Sequence, residues 1–89
     1  MNVAERFSKN LVRIRKEAGY SQEDVADLAS IHRTEIGMLE RGFRLPRLDT
    51  LVKLVGGLGV SYDELLSGIE WQPGTLRPGE FRETPREEE

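Results

Sequence analysis

Apolar residues recur at spacings of four, four, three and four from Val3 through Phe7, Leu11 and Ile14 to Ala18, and later stretches of similar spacing are cut off by glycine or proline. A period near 3.6 residues puts such a set on one stripe of a helix, and the interruptions prevent one long helix. The chain is therefore confined to short amphipathic helices packed on one another. Gly19 closes the first. Ser21, with Asp24 three positions on, is a near capping box that opens a second helix, whose inward residues are Val25, Leu28 and Ala29. Ser30, Ile31 and His32 form a short connection to a third helix, from about Arg33 to Glu40, which Gly42 stops; Pro46 marks Phe43 to Arg47 as a loop. A fourth helix begins near Leu48, with Leu48, Leu51, Val52, Val55 and Leu58 on its inner side, and Gly56, Gly57 and Gly59 weaken and end it. Ser61 with Glu64 is a full capping box, which predicts a fifth helix over Tyr62 to Ser67, closed by Gly68. The expected class is all-α.

The remaining composition narrows the function. Eighty-nine residues, 37% of them hydrophobic and 33% charged, suit one small core and argue against a two-domain enzyme. No apolar run approaches the roughly 20 residues that cross a bilayer. The start, Met1-Asn2-Val3-Ala4-Glu5-Arg6, lacks the pattern of a secretory signal, so the expected location is the cytoplasm and no membrane partner is expected. With no cysteine, disulfides and thiolate metal sites are excluded, and no metal or cofactor is expected. After Ile69 the texture changes: Pro73, Gly74, Pro78, Gly79 and Pro85 break helices and the last residues are mostly acidic. The expected organisation is a domain over residues 1–70 and an extended tail over 71–89, ordered at most in its first half. Trp71, Leu76 and Phe81 are large apolar side chains in this polar tail, which gains nothing by exposing them; docking on the domain or on a second subunit is expected.

A net charge of −3 argues at first against nucleic acid. Its distribution softens the objection, because the tail from Trp71 carries five acids against three arginines, whereas Ile31 to Arg47 holds four arginines and two glutamates. A local basic patch is what DNA feels. On a helix over residues 33–41, at about 100° per residue, Arg33, Thr34, Gly37, Met38 and Arg41 fall within an arc of about 140°, with Ile36 and Leu39 opposite. That outer face carries no acid of its own. Its chemistry suits a major groove: Arg33 can grip guanine bidentately, Thr34 can bond a base edge or phosphate, and Met38 can meet a thymine methyl. Gly37, lacking a side chain, allows close approach of the backbone to a duplex.

The run Ser21-Gln22-Glu23-Asp24-Val25-Ala26-Asp27-Leu28-Ala29, continued by Ile31-His32-Arg33-Thr34-Glu35-Ile36-Gly37-Met38-Leu39-Glu40-Arg41-Gly42, resembles the Cro and lambda-repressor-like helix-turn-helix family, also called the XRE family. The resemblance covers about residues 7 to 69, with the motif itself at 21–41. It implies a compact five-helix domain, a transcriptional repressor that places helix 3 in the major groove, and a homodimer on a palindromic operator. Position by position, it implies base reading by Arg33, Thr34, Gly37 and Met38. Gln22, His32, Arg41, Arg44 and Arg47 fall where backbone contacts cluster, and Ala26 is the small residue between helices 2 and 3. Arg15 and Glu40 match a salt bridge between helices 1 and 3. Two positions depart from the pattern. Ser30 stands where the turn favours glycine, and His32 stands where helix 3 favours serine, threonine or aspartate, a poorer cap unless its ring reaches a backbone amide or a phosphate.

Other function classes are poorly served. One histidine, no cysteine and no cleft-like carboxylate pattern give no catalytic set, and Gly56-Gly57-Leu58-Gly59 lacks the strand and lysine of a phosphate loop. The alternative class is a protein-interaction module of the same fold, such as an antitoxin or a regulator that binds a protein partner.

Overall fold

A computed structural model describes residues 2–84. Helix α1 (Val3–Glu17) starts where the Asn2 side chain accepts the Glu5 amide, and it buries Phe7, Leu11 and Ile14. Helices α2 (Gln22–Ala29) and α3 (Arg33–Glu40) follow, then α4 (Leu48–Leu58) and a short α5 (Tyr62–Leu65). The last stops two residues short of the span read from its capping box, which is present at Ser61 and Glu64. Phe7, Leu11, Val25, Ile36, Leu39, Leu54 and Leu65 form a fully buried centre. Helix α1 packs across α3 and α5, while α2 lies between α3 and α4.

Helix α4 is rotated from the expected orientation. Its buried residues are Leu54 and Leu58, whereas Leu48 and Val52 are 76% and 48% exposed. Leu51 and Val55 are only partly buried against the core. This helix is apolar around most of its circumference, so periodicity alone gives it no unique inner side. The direction is set by Gly57, whose missing Cβ would lie 3.0 Å from both the carbonyl carbon and oxygen of Leu28. The backbone of α4 can therefore rest directly on the end of α2. Leu28, expected to face inward, is 48% exposed.

The chain is not wholly helical. Strands β1 (Ile69–Gln72) and β2 (Glu80–Glu83) pair antiparallel, with Trp71 opposite Phe81. Order thus extends past the first half of the tail, and the boundary read at residue 70 falls inside β1; the acids at 87–89 lie outside the described residues. The breakers themselves permit this hairpin. A side chain at Gly79 would collide with the Trp71 ring and the Gln72 carbonyl, and one at Gly74 would come 2.7 Å from the Arg77 carbonyl oxygen. Trp71 and Phe81 meet edge to face with centroids 5.1 Å apart, so each supplies part of the other's burial. Leu76, at the turn, is fully exposed.

Polar side chains on α1 fasten the root of the hairpin. Asn10, wholly buried, donates through Nδ2 to the carbonyls of Leu65 and Ser67 at 3.0 and 2.8 Å. Arg6, 4% exposed, donates through Nε to the Ser67 carbonyl and pairs through Nη1 with Glu83 at 3.5 Å. The Thr84 amide donates to the Gly68 carbonyl at 2.8 Å.

Candidate nucleic-acid interface

Helices α2 and α3 are joined by a turn whose conformation is locally determined. The Ser21 amide donates to Asp24 Oδ2 at 2.8 Å and the Asp24 amide to Ser21 Oγ at 3.0 Å, a reciprocal box that starts α2. Ser30 closes α2 in the left-handed conformation (φ 53°, ψ 47°), as its place in the motif requires. His32 caps α3 with its ring, since the Thr34 amide donates to Nδ1 at 3.0 Å. The ring proton in that arrangement resides on Nε2, and the weak capping residue does its task through a ring nitrogen.

Within α3, Ile36 and Leu39 are fully buried, while Arg33, Thr34 and Arg41 are exposed and Gly37 and Met38 are half-buried. The two sides of the helix separate as its period predicts. Glu40, on the inner side, is the centre of a polar lock. Arg15 donates to it through Nε at 2.5 Å and Nη2 at 3.0 Å, and also donates through Nη1 to the Tyr20 carbonyl at 2.9 Å. Gln22 adds its amide to Glu40 Oε1 at 3.0 Å. One carboxylate thus ties α1, α2 and α3 together, with the Arg15 and Glu40 side chains only 13% and 5% exposed. The hydrogen bond to Glu40 holds the Arg15 pKa above the ordinary arginine value, against a smaller opposing effect of burial.

The basic residues are not bare. Arg33 Nη1 pairs with Glu23 Oε1 at 3.0 Å, Arg44 Nη1 with Glu35 Oε2 at 3.0 Å, and Arg47 Nε with Asp49 Oδ1 at 3.5 Å. Arg41 folds along its own helix, with Nε 3.3 Å from the Gly37 carbonyl oxygen and its guanidinium 5.0 Å from the centre of the Phe43 ring. A face read as free of acids therefore receives Glu23 from α2. Ten residues and a turn separate Glu23 from Arg33, so no helical spacing in the sequence signals the pair. Gly37 is unconstrained by the protein: a Cβ there would meet only Arg41 Nη2, at 3.8 Å, and its φ is not positive.

A capped helix, a left-handed turn and a third helix with an exposed outer face and a polar lock behind it define a helix-turn-helix domain of the kind found in DNA-binding transcription regulators. The chain belongs to the helix-turn-helix family HTH_3, whose model matches residues 11–65. It is 44% identical over 66 residues to the SPbeta prophage-derived HTH-type transcriptional regulator YonR of Bacillus subtilis, a match that covers 74% of this chain and 61% of that protein. It is 34% identical to the HTH-type transcriptional regulator y4dJ of Sinorhizobium fredii, covering 82% of this chain and 95% of the other. Among solved structures, the restriction-modification controller protein C.AhdI of Aeromonas hydrophila superposes with a TM-score of 0.67 at 34% identity, over 70% of this chain and 94% of that one. Among the described residues no helix is long and apolar enough to cross a membrane.

Proposed function

We propose that the chain is a sequence-specific binder of double-stranded DNA that acts in the cytoplasm as a transcriptional repressor, with α3 in the major groove and no catalytic role. The observation that carries this reading is Gly37. A glycine at the centre of an exposed helix face, required by no contact inside the protein, fits a surface that another backbone approaches closely. In this reading Arg33, Thr34 and Met38 read base edges, and Gln22, His32, Arg41, Arg44 and Arg47 contact the backbone. Repression is the output that occupancy of an operator delivers by itself. The names of the relatives, transcriptional regulators and a restriction-modification controller, support the same reading.

Residues 1–70 serve as the DNA-binding unit in this reading, and residues 71–89 as an arm. A homodimer on a palindromic operator is part of it, supported by apolar side chains left exposed on α4 (Leu48, Val52) and on the arm (Trp71, Leu76, Phe81). The same exposed residues favour a second reading, in which the arm engages a regulatory protein. Selection of bound duplexes from a random pool, repeated with Arg33→Ala, tests the function. The expected result is an enriched palindrome that loses its preference at a guanine in the variant; a pool with no enriched sequence would refute DNA reading and leave the protein-binding role.

A further inference from the structure

The surface assigned to DNA includes a charge of the wrong sign. Glu23 lies in the first turn of α2 with its side chain 70% exposed, beside residues that face phosphate in the reading above. A carboxylate there repels a duplex, and an exposed ion pair with Arg33 contributes little to folding. Its geometry accounts for its presence.

A guanidinium offers two forks of parallel donors: one is made by Nη1 with Nη2, the other by Nε with Nη2. Glu23 takes Arg33 by Nη1 at 3.0 Å. Among the described residues no hydrogen bond is made by Arg33 Nε or Nη2, so the second fork is open. Arg15 in this same chain uses that second fork, Nε with Nη2, to hold both oxygens of Glu40. Guanine presents O6 and N7 as a comparable pair of acceptors.

We propose that Glu23 is a positioning residue for base recognition, holding Arg33 by Nη1 so that its Nε and Nη2 donors face guanine O6 and N7. The inference rests on the DNA-binding reading. A long arginine side chain loses rotamer freedom when it docks, and a partner that has already restricted it lowers that cost. The carboxylate also discriminates. Where no guanine is in register, the Glu23 carboxylate still stands beside the phosphates and repels them, so non-specific binding is weakened.

The test uses the full chain with Glu23→Gln, Arg33→Ala and the double variant, on three duplexes: the selected operator, the operator with the Arg33-dependent guanine pair replaced, and a random sequence. Glu23→Gln is expected to keep the wild-type melting temperature, because the pair is exposed. It should lose about tenfold of the preference for the guanine pair and gain affinity for random duplex. In the Arg33→Ala background the same change should leave base preference untouched. Full retention of the guanine preference, an equal loss on all three duplexes, or a loss of base preference that persists without Arg33 would each overturn the role of Glu23. Wild-type protein that distinguishes none of the duplexes would overturn the DNA-binding reading itself, before any variant is compared.

Discussion

Glycine in a helix interior costs about 1 kcal/mol relative to alanine, and at Gly37, in the middle of α3, an added methyl group would meet only Arg41 Nη2, in ordinary contact at 3.8 Å. Gly37→Ala should therefore stabilise the fold by about 0.5–1 kcal/mol in urea denaturation while weakening operator binding, since the added methyl stands where the duplex approaches. A variant that is both more stable and binds as well as the wild type would remove Gly37 from the interface. Glu40 is the opposite case, a side chain whose value is internal. Glu40→Ala would strand Arg15 and release Gln22, and should cost about 3 kcal/mol, measurable as a lower midpoint in urea. The raised pKa of Arg15 contributes stability that is present at all pH below the ordinary arginine value and lost only above the raised one. On the arginine side, then, the lock holds unchanged through the neutral range. The Arg15 and Glu40 pairing was legible from the motif. The capture of Gln22 by the same carboxylate was not, because Gln22 and Glu40 meet only through the packing of α2 on α3.

Helices α1, α2 and α3 end close to where their residues say they should, because caps and left-handed turns act over three or four positions. Ser21 with Asp24, the left-handed Ser30, and His32 with the Thr34 amide are all of this kind. Helix α4 lacks such local direction, with no side-chain cap at Arg47 and apolar residues on several sides. Its facing is decided by how closely it approaches α2. Two adjacent glycines make the point testable: a Cβ at Gly56 meets nothing within 4 Å, whereas one at Gly57 meets the Leu28 backbone at 3.0 Å. Gly56→Ala should stabilise the protein by about 1 kcal/mol, and Gly57→Ala should destabilise it by about 1–3 kcal/mol, both read from thermal melting. Equal effects at the two sites would contradict the packing described. The hairpin escaped prediction for a related reason. Pro73, Gly74, Pro78 and Gly79 break helices but also form the bend that returns β2 to β1, and its anchors, Arg6 and Asn10, are distant in sequence.

For the whole molecule, the balance of −3 hides a basic stretch from Ile31 to Arg47, and three of the four arginines in that stretch are paired with carboxylates in the free protein. Binding to DNA should weaken with salt at a log-log slope of about −0.9 per phosphate neutralised, and titration of a labelled operator measures it. A homodimer on the operator should space its half-sites about 34–36 Å apart on one face of the duplex. Sedimentation as a monomer both free and on DNA would refute that assembly. What the sequence determined by itself was the number and order of the helices, the capping boxes of α2 and α5 and the outward side of α3, all of which depend on short-range periodicity and local hydrogen bonds; the family came from the resemblance of the motif at 21–41. The tertiary structure alone decided which side of α4 is buried, that the tail returns as a strand, and that Glu23 reaches Arg33. Each of these is a contact between residues far apart along the chain, fixed by backbone approach and packing rather than by spacing.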